Sequence, residues 1–285
     1  MDRQISYVFI FVIIALYVLE ATAEEHVRIL WAVLFGVTLS FLAFLFKWLS
    51  LDGAQSAGIL GVITYGFGLG ESAVILLFFF ISGSLMSQNR IKRQGAGSAA
   101  DNLEKNIALG IRRTGKQVWA NGFWLALGLC IWFVNNELAI WLAAISSLAV
   151  ATADTWSTEL GTKDGRGTTR LITTGERVEP GTDGGISING TLAALFGSIF
   201  IGLISAFFHP GHAITSFIIV TVTGFAGGLL DSVFGAVYQF KKAGGVVRAI
   251  KEFLTGNREI NNNVVNTMAT GSGFLLALLL GTLLI

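Results

Sequence analysis

Long apolar blocks alternate with short polar breaks along this chain, and most blocks are too continuous for the in-out alternation of a half-buried strand. Judged loosely against the roughly 17 to 25 residues that a membrane helix needs, they predict nine spans. These lie at 5–19, 29–46, 54–70, 72–87, 119–134, 138–153, 190–208, 213–236 and 264–285. Only "GFGLGES" parts the third from the fourth, which reads as a helical hairpin or as a re-entrant pair. The first block has a second reading: Arg3, an apolar run and "ATA" at 21–23 resemble a signal peptide and its cleavage site, although a retained helix is the preferred expectation.

Composition agrees with the pattern. Hydrophobic residues make up 53% of the 285 and charged residues 13%, which points to an integral, multi-pass membrane protein of a plasma or internal membrane: an all-α helical bundle in one domain. Nothing in this balance suggests nucleic acid as a partner, whereas membrane lipid is one by necessity, and a homodimer is left open. With two prolines against 35 glycines, helices can run unbroken while small residues bring their backbones close, as the spacing of Gly224 and Gly228 suggests. The single cysteine, Cys130, excludes an intramolecular disulfide.

Charge adds direction. With the N-terminus in the cytoplasm, every Lys and Arg of the 19 except Arg28 falls in a cytoplasmic segment, chiefly the loops 88–118, 154–189 and 237–263. One missed helix would scatter those charges, so nine spans, a cytoplasmic N-terminus and an active face at the cytoplasmic interface are expected together. The outer links, such as "NNE" and "HPGH", are short. His209 and His212 read as a solvated turn rather than a metal site.

On the cytoplasmic side the sequence becomes chemical. Asp154 lies 16 residues after Leu138 and Asp231 lies 18 after Ala213, on spans running the same way. At 1.5 Å per residue the two acids sit about 24 and 27 Å along their helices, so they can reach one depth. An acid there is costly unless paired, hydrated or bound to a cation, which makes both candidates for function, against the plainer reading of solvated carboxylates or caps. Paired carboxylates with nearby hydroxyls suit Mg²⁺, which keeps waters and substrate phosphates in its shell. Asp154 and Asp231 are therefore the expected metal ligands. Glu159 stands about 140° around the helix from Asp154, so it either turns in from a distorted helix end or serves a second role.

The loop that follows is built for an anion. Between 161 and 190 it carries Gly161, Gly165, Gly167, Gly175, Gly181, Gly184, Gly185 and Gly190, with Lys163, Arg166, Arg170 and Arg177. Glycines let backbone N–H groups turn toward a phosphate, and Arg supplies forked donors. There is no Walker motif. Two further segments face the same way. "RRTGKQVWANG" offers Arg112, Arg113 and Lys116 before a helix bearing Gln117 and Asn121 on one face, and "NREINNNVVN" opens the last span with Asn262, Asn263 and Asn266. A helix start needs one capping residue, and this one holds four asparagines within six positions. Arg90, Lys92, Arg93, Lys241 and Lys242 read more plainly as topology signals or contacts with anionic lipid.

Taken in order, "LDGAQSAGILGVITYGFG", "RRTGKQVWANG", "ATADTWSTELGT", "RLITTGERVEPGTDGGISINGT", "GGLLDSVFGAVYQ" and "NNNVVN" resemble the family of transmembrane protein 19 and the phytyl-phosphate kinases, from about Lys47 to the C-terminus. The first two spans add little. Where relatives often carry Trp-Ala-Ser-Glu, this chain has Trp156, Ser157, Thr158 and Glu159, which keeps the acid and alters the small positions. The resemblance implies a membrane kinase that transfers phosphoryl from a nucleoside triphosphate, CTP by analogy with membrane prenol kinases, to an isoprenoid monophosphate such as phytyl phosphate, as in tocopherol biosynthesis. It implies catalytic roles for Asp154, Glu159, Asp231 and Lys116, and substrate contacts from Arg112, Arg113, Gln117, Asn121, Arg170, Thr173, Thr174, Asp183, Gly184, Gly185, Asn263 and Asn266. Two other readings stay open: a transporter or flippase for an anionic prenyl lipid, disfavoured because the charges gather at one face rather than through the midplane, and a cytidylyltransferase making a CDP-lipid.

Overall fold

The computed structural model describes residues 2–93, 112–161, 168–240 and 260–285. Among these, nine long helices match the nine expected spans: α1 (Asp2–Leu19), α2 (Ala23–Leu45), α3 (Leu51–Gly66), α4 (Leu69–Arg93), α5 (Gly115–Asn135), α6 (Leu138–Gly161), α7 (Ile188–Phe208), α8 (Ala213–Phe234) and α9 (Asn262–Leu284). All but α3 are long and apolar enough to cross a membrane; α3, at 16 residues, is short. The break after α3 falls at Phe67 and Gly68, a few residues before the expected place, and α4 is one unbroken helix long and apolar enough to cross, so "GFGLGES" holds the turn of a helical hairpin. Leu69 takes a left-handed φ of 64° there.

Local chemistry sets the ends. Thr22 and Thr114 cap α2 and α5 with reciprocal boxes in which Glu25 and Gln117 reach back to the cap. Asn136, at φ 55°, ends α5 in the left-handed conformation that asparagine tolerates. Inside the bundle, several hydroxyls are turned onto their own helices: Thr152 donates to Leu148 O at 2.8 Å and Thr223 to Ile219 O at 2.7 Å. That removes most of the cost of placing them in a dry interior.

At the centre is α6, in contact with α4, α5, α7, α8 and α9 and buried along most of its length. Glycines on its neighbours permit this. A Cβ on Gly224 of α8 would stand 2.6 Å from the Ala149 methyl, and one on Gly228 would stand 3.0 Å from that of Ala153. One on Gly128 of α5 would meet Ala144 at 2.8 Å. The small-residue spacing at Gly224 and Gly228 is thus the seam that lays α8 along α6. At the periphery α1 rests mainly on α5 and α3: Phe9 stacks on Trp119 at 4.9 Å, and the Trp119 indole donates to Ser6 Oγ at 3.0 Å.

Candidate active site

The ends of α6 and α8 and the starts of α5, α7 and α9 gather at the end of the bundle that charge counting assigns to the cytoplasm, around a polar cavity of about 670 Å³. Because the Gly224–Gly228 seam holds α8 on α6, Asp231 arrives beside Asp154 and their carboxyl groups lie within hydrogen-bonding reach. The matched depth read from helix rise is realised. Thr158 also hydrogen-bonds Asp154, and Asp231 Oδ1 is buried with no hydrogen-bond partner. Asp183, from the loop before α7, is near enough to Asp231 for their charges to interact.

Glu159 takes the second role. It is 6% exposed, and it faces α4, where Ser87 Oγ donates to its Oε1 at 2.7 Å. Arg113, reaching in from the start of α5, is near enough to Glu159 and Asp154 for their charges to interact. Desolvation holds its guanidinium below the ordinary arginine pKa, and the charges of Glu159 and Asp154 oppose that shift. The guanidinium lies over the Phe79 ring at 5.3 Å, and Gly83 leaves it room, since a Cβ there would run into its Nη2.

The Arg113 backbone is clamped. Its N–H donates to Trp48 O at 2.9 Å, and its carbonyl accepts from Ser50 N at 3.1 Å and Ser50 Oγ at 3.2 Å. Asp52 closes the corner, accepting from Ser50 Oγ at 2.6 Å and from Gly115 N at 2.7 Å. The polar turn between α2 and α3 is therefore a bracket for the one arginine among the described residues that lines this cavity.

The far wall is a loop folded back on itself. A short antiparallel pair, β1 (Arg170–Leu171) and β2 (Gly185–Ile186), brings 181–185 against the end of α8, where Gly235–Gln239 winds as a π-helix. Gly184 has φ 76°, and a Cβ there would collide with the Ala236 methyl and backbone, so only glycine fits this contact. A single π-turn beside a cavity is a recurrent feature of functional sites.

Of the residues expected at the site, Arg113, just before α5, and Gln117 and Asn121 of α5 line the cavity with Asp154, Glu159 and Asp231. Asn266 lines it beside Asn121, and Asp183, Gly184 and Gly185 line it from the loop before α7. Asn266 Nδ2 donates to Asn121 Oδ1 at 3.3 Å, while Asn266 Oδ1 is buried without a partner. Six of the expected residues lie off the lining. Lys116, Arg170, Thr173 and Thr174 are exposed, Arg112 is half-buried beside the site, and Asn263 is turned from it. The asparagine cluster divides its work: Asn261 caps α9 through Val264 N at 3.2 Å, and Asn262 faces the cavity instead of Asn263. Lys163, Gly165, Arg166 and Gly167 lie outside the described residues. Sequence reasoning missed Ser87, Gly83 and Asp52. Only Asp52 left a signal, as an acid one residue inside a helix start capped by Ser50.

Two carboxylates in contact need a proton or a cation between them. Together with the orphaned Asp231 Oδ1, that fits a divalent ion. Among the described residues no group of three or more His, Cys, Asp or Glu is arranged to hold a metal, so substrate phosphates and water would have to complete its shell.

Relatives match along most of the chain. The chain is 32% identical over 259 residues to an uncharacterized membrane protein of Methanocaldococcus jannaschii, covering 91% of this chain and 97% of that one. It is 27% identical over 238 residues to Protein PGR of Arabidopsis thaliana, covering 75% and 80%. It is 26% identical over 241 residues to Protein VTE6, chloroplastic, of the same plant, covering 81% and 65%. No solved structure matches. Residues 34–274 match the integral membrane protein family DUF92, which takes in all of the cavity-lining residues and leaves out α1, and the chain belongs to that family.

Proposed function

We propose that this chain is a membrane kinase that transfers the terminal phosphoryl group of a nucleoside triphosphate, CTP by the resemblance, to an isoprenoid monophosphate, giving the diphosphate. The observation that carries the reading is the junction of Asp154, Asp231 and Arg113 in one polar cavity at the bundle end. The relation to Protein VTE6 supports it through the group the sequence resembles.

Phosphoryl transfer asks a protein for alignment and charge neutralisation more than for covalent chemistry. The acceptor phosphate is already an anion at neutral pH, so no strong base is required. Arg113, fixed at its backbone and seated over Phe79 and Gly83, presents a pre-oriented fork to that phosphate. Asn121, Asn266 and Gln117 supply neutral polar groups on the same wall. The 181–185 turn, pinned on Ala236, offers backbone N–H groups to the donor phosphates from the opposite side. Asp154 and Asp231 would hold Mg²⁺, which when bound neutralises the charge on the donor phosphates. A nonbridging oxygen of the acceptor attacks the γ-phosphorus, the bond from that phosphorus to the β-bridging oxygen breaks, and the nucleoside diphosphate leaves with the electron pair.

The test is turnover by purified protein in neutral detergent with CTP, Mg²⁺ and a panel of prenyl monophosphates, with products identified by mass spectrometry. Prenyl diphosphate and CDP are expected, whereas a CDP-lipid and pyrophosphate would make the protein a cytidylyltransferase. Asp154→Asn and Asp231→Asn should each abolish turnover while keeping the wild-type gel-filtration profile, and near-normal activity in both variants overturns the assignment.

A further inference from the structure

A second cavity, of about 550 Å³ and almost wholly apolar, runs between α2, α3, α4 and α5. It meets the polar cavity at three shared residues, Arg113, Gln117 and Asn121. Arg113 is the only charged side chain among the described residues of its wall, and it stands at the end that opens on the site. From there the groove follows the helices toward the opposite membrane face and ends near Tyr65 and Gly70. The stretch of α4 along it, from Gly70 to Ile81, covers about 16 Å, half of a hydrocarbon core about 30 Å thick. The two hydroxyls of the wall that lie deepest in the helices are turned away: Ser40 donates to Val37 O at 3.1 Å and Thr64 to Leu60 O at 2.6 Å. Apart from the Gln117 and Asn121 amides at the mouth and the Tyr65 hydroxyl, what remains is hydrocarbon and aromatic surface under a single cation.

Resting on the kinase reading above, we infer that this groove holds the isoprenoid tail of the acceptor, with its phosphate at Arg113, and that the groove floor at Gly70 sets the longest tail accepted. The charge at the mouth matches a phosphomonoester, and the continuity with the polar cavity delivers that phosphate to the reacting centre. One groove of this shape takes one chain, which favours a single-tailed lipid phosphate over a diacyl phospholipid. Gly70 lines that end and is exposed, and a Cβ on it would meet nothing within 4 Å, so a larger side chain can be placed there without displacing protein.

Gly70→Phe should therefore leave kcat/KM for geranyl monophosphate within twofold of wild type and lower it at least tenfold for geranylgeranyl monophosphate, since two buried methylenes are worth about tenfold. Ala73→Leu, one turn farther along the same wall, provides a second variant. An equal fall for both tails, or no change for either, overturns the inference. Binding is read separately by a prenyl monophosphate carrying a diazirine at its tail end. Labelling should fall on the α2, α3 and α4 peptides that line the groove and be competed by unlabelled prenyl monophosphate. Labels on α7 or α8, or equal labelling of the groove by a diacyl phospholipid probe that prenyl monophosphate does not displace, would overturn it. Should no prenyl phosphate be turned over at all, the kinase reading falls, and the labelling pattern still decides whether the groove binds the tail.

Discussion

Two basic stretches reach the bundle end that holds the cavity and look alike as sequence: "RRTGK" at 112–116 and "TTRLITTGER" at 168–177. The structure treats them differently. Arg113 has its N–H and carbonyl bonded by the α2–α3 turn, and its guanidinium, over Phe79, interacts with the charges of Asp154 and Glu159. Arg170 is exposed, and its Nη1 donates to Gly175 O at 2.8 Å, so part of its fork is spent on its own turn. Both stretches are rich in cations, hydroxyls and a glycine. What separates them is the bracket: a cation held by its main chain loses little freedom when it binds a phosphate, and one on a solvated hairpin loses much.

The largest expected effect breaks the comparison on the Arg113 side. Arg113→Gln should lower kcat/KM by about 10- to 150-fold, the cost of one lost hydrogen bond to a charged group, with Arg113→Lys recovering only part because an ammonium lacks the fork. Turnover within twofold of wild type would remove Arg113 from the site. Next comes the bracket. Asp52→Ala removes the acceptor of Ser50 Oγ and Gly115 N and should cost several-fold in turnover with a lower Tm. In an Arg113→Gln background the same change should cost little further turnover. Additive losses in that double-mutant cycle would mean that Asp52 serves the fold alone.

Smaller still is the effect expected at the other stretch. Arg170→Gln in neutral detergent should change turnover less than twofold, and a drop as large as that of Arg113→Gln would show that the hairpin closes over substrate. The comparison also assumes that both stretches share one membrane face. In proteins bearing Arg177→Cys or Glu137→Cys, an impermeant thiol reagent should need cytoplasmic access for the first and external access for the second, without altering activity. The reverse pattern would invert the topology.

Much of this was legible in the chain. Nine helices could be counted because the apolar blocks are long and the charges fall on one side, and the common depth of Asp154 and Asp231 followed from helix rise. Rotation was harder. Glu159 was visible as an acid that one straight helix could not aim with Asp154, yet its partner Ser87 depends on how α4 turns about its axis, which no local pattern records. Asn262 rather than Asn263 faces the cavity because α9 begins at Asn262 under the cap of Asn261; a shift of one residue is about 100° of phase. The bracket was hidden because Asp52 and Ser50 read as an ordinary helix cap, and the contact that gives them meaning joins residues 63 apart.

The stack of Phe9 on Trp119 bears on how the protein is made. At a synthesis rate of roughly 5 to 20 residues per second, α1 leaves the ribosome about 5 to 20 s before the helix it packs against. For the first part of that interval neither of the two helices it packs on has been made, and for the rest only α3 has. Its composition suits the wait: beyond Asp2, Arg3 and Gln4 its 18 residues are almost all apolar, and Tyr7, Phe11 and Val18 stay exposed on its outer side in the finished bundle. Insertion and docking of this helix are thus separate events in time.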